Sequence, residues 1–108
     1  MSKVMVHQAG PLPIDVQTTW PGNESLLIAV SGSAYAKSPN TMLTVKVQFG
    51  GTTLATLQIW ANAASTHMAF PTTFFTVPGT IGPVHIGMVA GDGTLTDVND
   101  MFTVAVIY

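Results

Sequence analysis

No segment of the chain keeps a hydrophobic pattern of helical period. Runs of Val, Ile, Thr and Phe alternate with a period of two and are cut at short intervals by Gly, Pro, Asn and Asp. Successive side chains on a strand point to opposite faces, so such a chain must form sheets, and sheets need a second layer to bury their apolar face. Eight strands are expected, at about 3–8, 14–19, 25–33, 41–49, 53–60, 67–77, 83–90 and 100–108. The expected fold is all-β: one domain over residues 1–108, a compact antiparallel two-sheet sandwich of the jelly-roll kind.

The segment TMLTVKVQFGGTTLATLQIW fixes a register. Leu43, Val45, Val47 and Phe49 share one face of the first strand. A two-residue Gly50-Gly51 turn would set Val47 opposite Leu54 and mix the faces of the two strands. A three-residue loop, Gly50 to Thr52, pairs Phe49 with Thr53, Val47 with Ala55, Val45 with Leu57 and Leu43 with Ile59. A slip of one residue inverts a strand, so the longer loop is expected. The outward face then holds Thr44, Lys46, Gln48, Leu54, Thr56, Gln58 and Trp60.

Two strands are apolar on both faces. In 25–33, Leu26, Ile28 and Val30 alternate with Leu27, Ala29 and Ser31; in 101–108, Phe102, Val104, Val106 and Tyr108 alternate with Met101, Thr103, Ala105 and Ile107. A sandwich covers only one side of each sheet. Charged residues make up only 7% of the chain against 47% hydrophobic, and monomers rarely expose the apolar patches this composition implies. A homo-oligomer is therefore expected, with Val104 and Val106 placed at its interface.

The closing stretch, Asp97, Asn99, Asp100, Met101, Phe102 and the alternating strand to Tyr108, follows the Gly-rich turn Gly91–Gly93. It resembles the tumour-necrosis-factor/C1q-like jelly-roll superfamily, whose members close with a polar turn, an aromatic and an alternating apolar strand near a threefold axis. The specific likeness covers residues 83–108. It implies a compact trimer with ligand-binding functions, towards receptors or, in bacterial lectins of that fold, sugars.

Several function classes are excluded. The apolar content is too high for disorder, and no run is long enough for a membrane-spanning helix. The N-terminal stretch MSKVMVHQAGPLP is not a secretory signal, so a cytoplasmic protein, or one released by a non-classical route, is expected. Without cysteine there is no disulfide, thiolate nucleophile or cysteine-type zinc site. Three scattered lysines, no arginine and a net charge of −2 disfavour nucleic acid and anionic membranes. Catalysis has no support: Ser31-Gly32-Ser33 lacks the nucleophile-elbow spacing, and Asp15 and Glu24 form no paired-carboxylate pattern.

Asp92, Asp97, Asn99 and Asp100 are the candidate metal ligands, since clustered oxygens could serve calcium. Their spacing matches no EF-hand loop, and turn formation before the last strand is the favoured reading. No other cofactor is expected. His7, His67 and His85 have no metal-ligand spacing; His85 lies beside Gly87, on the face opposite Val84, Ile86 and Met88. Trp20 with Glu24, and Trp60 with Asn62, are the candidate ligand-binding residues, because an indole beside amide and carboxylate groups suits a sugar's C–H face and hydroxyls. Tryptophans at subunit interfaces or in a core are the commoner alternative. The expected function is a small oligomeric, non-enzymatic binding module, trimeric and lectin-like. The alternative is a structural or assembly protein, such as a virion or phage component, with no small ligand.

Overall fold

The computed structural model describes residues 2–20, 24–79 and 82–107, and every regular element among them is a strand. The strands are β1 (Ser2–Ala9), β2 (Ile14–Thr19), β3 (Leu26–Ser31), β4 (Ser33–Ala36), β5 (Thr41–Phe49), β6 (Thr52–Ala61), β7 (Met68–Ala69), β8 (Thr73–Val77), β9 (Pro83–Ala90), β10 (Thr94–Leu95) and β11 (Met101–Ile107). Two four-stranded antiparallel sheets, in the orders β1-β11-β3-β8 and β2-β9-β5-β6, form the sandwich. Its logic is that of one long hairpin rolled up. The β5–β6 hairpin is the tip, and β3 with β8, β2 with β9 and β1 with β11 pair successively further from it. This is the jelly-roll arrangement.

The eight long strands fall where alternation places them, with two exceptions. The expected strand at 67–77 divides at Phe70-Pro71-Thr72, where proline has no N–H to give a ladder. Its first part pairs with β4 and its second with β3. Beyond Gly32 the chain leaves the first sheet as β4, which joins β7 and β10 in a small three-stranded sheet. That sheet closes one end of the sandwich, where the Gly91 N–H bonds the Thr44 carbonyl at 2.9 Å and the Thr44 N–H bonds Thr94 Oγ1 at 2.9 Å.

The β5–β6 register is the expected one for Val47–Ala55, Val45–Leu57 and Leu43–Ile59, but the turn is not. Phe49 pairs with Thr52 and Gln48 with Thr53, so the loop is the two-residue Gly50-Gly51 turn. Both glycines have positive φ, 61° and 86°, as a turn matched to the twist of its strands requires. A bulge at Leu54 absorbs the odd residue and restores the register beyond it. The bulge also corrects the face of Leu54, which is half-buried and packs against the core instead of standing outward.

β3 and β11, the strands apolar on both faces, are the two central strands of the first sheet. Ile28, Val30, Phe102, Val104 and Val106 point inward and are fully buried against Leu43, Val45, Val47, Leu57, Ile86 and Met88 of the second sheet. Val104 and Val106 are therefore core residues and not interface residues. The alternate set faces out, and one register row, Val4–Ala105–Ala29–Phe74, crosses all four strands of that sheet. Val104→Asp, which buries a carboxylate at a cost of several kcal/mol, is expected to abolish the cooperative thermal transition. Leu57→Ala should lower unfolding free energy by about 2–5 kcal/mol, read by urea denaturation.

Candidate functional site

The polar residues of the chain collect in two places. The first is the end of the sandwich closed by β4, β7 and β10. Asp97 and Asp100 build the turn into β11: the Asp100 N–H bonds the Asp97 carbonyl at 3.1 Å, and the Asn99 N–H bonds Asp97 Oδ1 at 2.8 Å. These are the local side-chain bonds by which aspartate favours turns. Asp100 itself is fully buried. Its Oδ1 accepts from Ser33 Oγ at 2.6 Å and faces His67 Nδ1 at 2.7 Å, while its Oδ2 accepts the Asp97 N–H at 2.9 Å. Gly10 N–H bonds the Asp100 carbonyl at 2.7 Å, so this one residue ties together four segments distant in sequence.

His67 is held on both edges. Nδ1 meets Asp100, Nε2 lies 3.5 Å from Asp97 Oδ2, and Tyr35 packs against the ring with centroids 4.6 Å apart. The hydrogen bond to Asp100 raises its pKa above the ordinary 6.5; the charges of Asp100 and Asp97 add to this, and partial desolvation opposes it. The arrangement is that of an imidazolium clamped between two carboxylates.

His67, Asp97 and Asp100 also present ligand atoms within 4.8 Å of one another. Calcium takes six to eight oxygen ligands. This cluster supplies two carboxylates, three of whose four oxygens already accept N–H or O–H donors. A cation here would have to compete with those donors for the same oxygens. Of the sequence-stated metal candidates, Asp97 and Asp100 come together. Asp92 stands exposed at the tip of the neighbouring turn, and Asn99 contributes its backbone N–H in place of its exposed side chain. His67, about thirty residues before the acidic turn, carried no signal linking it to Asp97 or Asp100.

The second place is the outer face of β2-β9-β5-β6. Trp60 stands on it 47% exposed, paired with Met42 and flanked along β6 by Gln58. Thr44, Lys46, Gln48 and Thr56 share that face as expected, and Asn62 follows, exposed, in the next loop. Trp20 is elsewhere. Its ring is 2% exposed, packs edge-on against Phe49 at 6.0 Å, and donates Nε1–H to the Glu24 carbonyl at 3.0 Å. Met42 and Phe49 are seven residues apart on β5, roughly 23 Å at the rise of a strand, so the two tryptophans belong to opposite ends. Trp20 is a core residue, and Glu24 serves it through the backbone. The signal was present in the parity of Ile14, Val16, Thr18 and Trp20, which all face inward.

No protein-family model and no curated protein sequence matches the chain. Among solved structures it is similar to a carbohydrate-binding module, CBM36, in complex with calcium and xylotriose. The TM-score is 0.53 at 15% identity, over 99% of this chain and 87% of that one. It is also similar, at a TM-score of 0.49 and 12% identity over 94% of this chain and 76% of that one, to the CBM36-1 domain of a multidomain xylanase from the hindgut metagenome of Trinervitermes trinervoides. At 15% identity the first likeness is one of fold, and it agrees with a β-sandwich of the jelly-roll type.

The raised pKa of His67 fixes a pH dependence. The imidazolium's contribution to stability is fully present below the unfolded-state value of about 6.5 and is lost as pH rises through the higher folded-state value. The melting temperature should therefore fall across that window, and His67→Gln should remove this component. A wild-type profile that is flat there, or one His67→Gln leaves unchanged, contradicts the clamp.

Proposed function

We propose that the protein is a non-enzymatic carbohydrate-binding module whose ligand lies on the outer face of the β2-β9-β5-β6 sheet. The observation that carries this reading is Trp60. An indole left nearly half exposed, with Met42 beside it and Gln58 and Thr44 next along the two strands, offers an apolar plate bordered by an amide and a hydroxyl, which matches a pyranose ring with its C–H face and its rim of hydroxyls. Asn62 adds a further amide beyond the end of β6. The similar module in complex with xylotriose supplies the first ligand to try.

Calcium is carried in this reading as a condition of the assay, with Asp97 and Asp100 as its oxygen donors and Asp92 and Asn99 as neighbours on the same turn-rich end. Binding lost in chelator and restored by calcium would assign it. The test is a glycan array with labelled protein, with calcium and with chelator, followed by calorimetry on xylotriose and the best hits. Trp60→Ala should weaken binding at least tenfold with the fold intact by circular dichroism. A blank array in both conditions overturns the proposal.

Self-association through the outer face of β1-β11-β3-β8 belongs to the same proposal, as the trimer implied by the resemblance to the tumour-necrosis-factor/C1q-like superfamily does. Val4, Leu27, Phe74, Met101 and Ile107 are exposed there. The outward residues described on this face include no Asp, Glu, Lys or Arg. Its exposed apolar row, with His7 bonded to Thr103 at one end, matches the same row on a second copy, and the occupant proposed is another copy of the chain. Repetition of weak sites in an assembly would raise avidity. Such a face also favours a second reading, an assembly protein without a small ligand. Light scattering should show an oligomer that Ala105→Asp, in the middle of the exposed row, dissociates into folded monomers; a wild-type monomer at high concentration refutes this assignment.

A further inference from the structure

The outer face that carries Trp60 has a gap at its centre. Gly87 lies in the middle of β9, paired with Asp15 of β2 on one side and Gln48 of β5 on the other. His85 and Val89, two residues away along β9, complete the walls of a trough of about 350 Å³. Glycine inside a strand weakens it, since it packs nothing and loses the most backbone entropy on folding. Here the fold does not require it. Gly87 does not have the positive φ that demands glycine, and a Cβ built on it would meet its nearest neighbours at 3.6 to 3.8 Å, in ordinary contact. The missing side chain is thus unexplained by turn geometry or by packing, and an approaching ligand is the remaining use of a bare strand floor.

The walls have the chemistry of a hydroxyl-rich ring. Gln48 Nε2 lies 3.3 Å from Thr53 Oγ1, a bond that fixes the amide and directs its Oε1 over the Gly87 floor, 3.6 Å from the position of the absent Cβ. Asp15 Oδ1 and His85 Nδ1 stand 3.5 Å apart across the register, both largely exposed. An oriented carbonyl, a carboxylate and an imidazole therefore converge on a floor flanked by Val89 and Pro13. Few polar groups set in a partly apolar hollow are the usual make-up of a small-ligand site.

The trough and Trp60 share one face. Trp60 pairs with Met42 and Gly87 with Gln48, and these two residues are six apart on β5, roughly 20 Å. Between them the outward positions of β5 are Thr44 and Lys46. We infer that the Gly87 trough is a second saccharide subsite, and that the protein recognises an extended polysaccharide chain running along β5 from Trp60 to Gly87, not a single terminal sugar. This rests on the proposed carbohydrate-binding function and names the form of ligand it takes.

The test compares xylohexaose with xylotriose by calorimetry on wild type, Gly87→Val and Gln48→Ala. Valine suits a strand position, and its side chain covers the floor of the trough, so Gly87→Val should melt no lower than wild type. It should weaken xylohexaose at least tenfold while leaving xylotriose, seated on Trp60 alone, within twofold. Gln48→Ala, which keeps the space and removes the oriented acceptor, should weaken the longer ligand by a smaller factor. If wild type binds neither ligand nor any glycan on the array, the proposed function fails and the subsite with it. If wild type binds but both variants match it on xylohexaose, the subsite alone is refuted. Wild-type affinities for the two lengths within twofold of each other refute the extended ligand.

Discussion

A strand residue has two faces to choose from, and everything distinctive about this molecule follows from how the chain spends that choice. In each sheet one parity builds the core: Ile28, Val30, Val104 and Val106 from one layer meet Leu43, Val45, Val47 and Met88 from the other. The remaining parity is then free to differ between the layers, and it does. On β2-β9-β5-β6 it is mostly Thr, Lys, Gln, Asp and His, with Trp60, Met42 and Val89 exposed among them and a glycine at position 87. On β1-β11-β3-β8 it is mostly Val, Ala, Leu, Phe, Met and Ile, with His7, Ser31, Thr76 and Thr103 as its polar members. The two outer faces of the sandwich therefore differ in character, and the proposed ligand site and the proposed self-association draw on that difference.

The buried carboxylate of Asp100 completes the architecture at one end. A charge out of water is tolerated only when its oxygens are satisfied, and Ser33, His67 and the Asp97 N–H satisfy both. Because those partners come from different strands and loops, the need to solvate one carboxylate fixes the position of the turn before β11 and of the loop after β6. That loop contains Asn62 and follows directly on Trp60, so the clamp around His67 sets the boundary of the polar face. The cluster resembles a metal centre in composition, and with three of its four carboxylate oxygens already accepting hydrogen bonds it also acts as a structural joint.

The eight-strand sandwich was legible because period-two alternation is a local property, visible within a few residues and independent of the partner strand. The register of β5 and β6 was legible for the same reason, apart from the Leu54 bulge, which trades one residue of mismatch for a two-glycine turn. Trp20 was a ligand candidate because its neighbours Pro21 and Glu24 resemble a loop; the commoner alternative, a place in the core, is the one it takes, and its parity with Ile14 was in plain view. Val104 and Val106 were assigned to an interface because parity tells which residues share a face and not which face is inside. His67 could not be found at all: its partners lie about thirty residues away, and only the closure of the end by β4, β7 and β10 brings them together. Gly87 was visible as a glycine beside His85, but its meaning depends on a φ and on empty space that no sequence pattern states.

The most direct measurement is a map of amide chemical-shift changes in isotopically labelled protein titrated with xylohexaose. Shifts are expected to concentrate on one face, at Lys46, Gln48, Gln58, the Trp60 indole and Gly87, with the amides of Ala29 and Ala105 in the other sheet unmoved. Shifts gathered instead around Asp97 and Asp100, or on the apolar face of β3 and β11, would contradict it, as would a saturating titration that moves nothing.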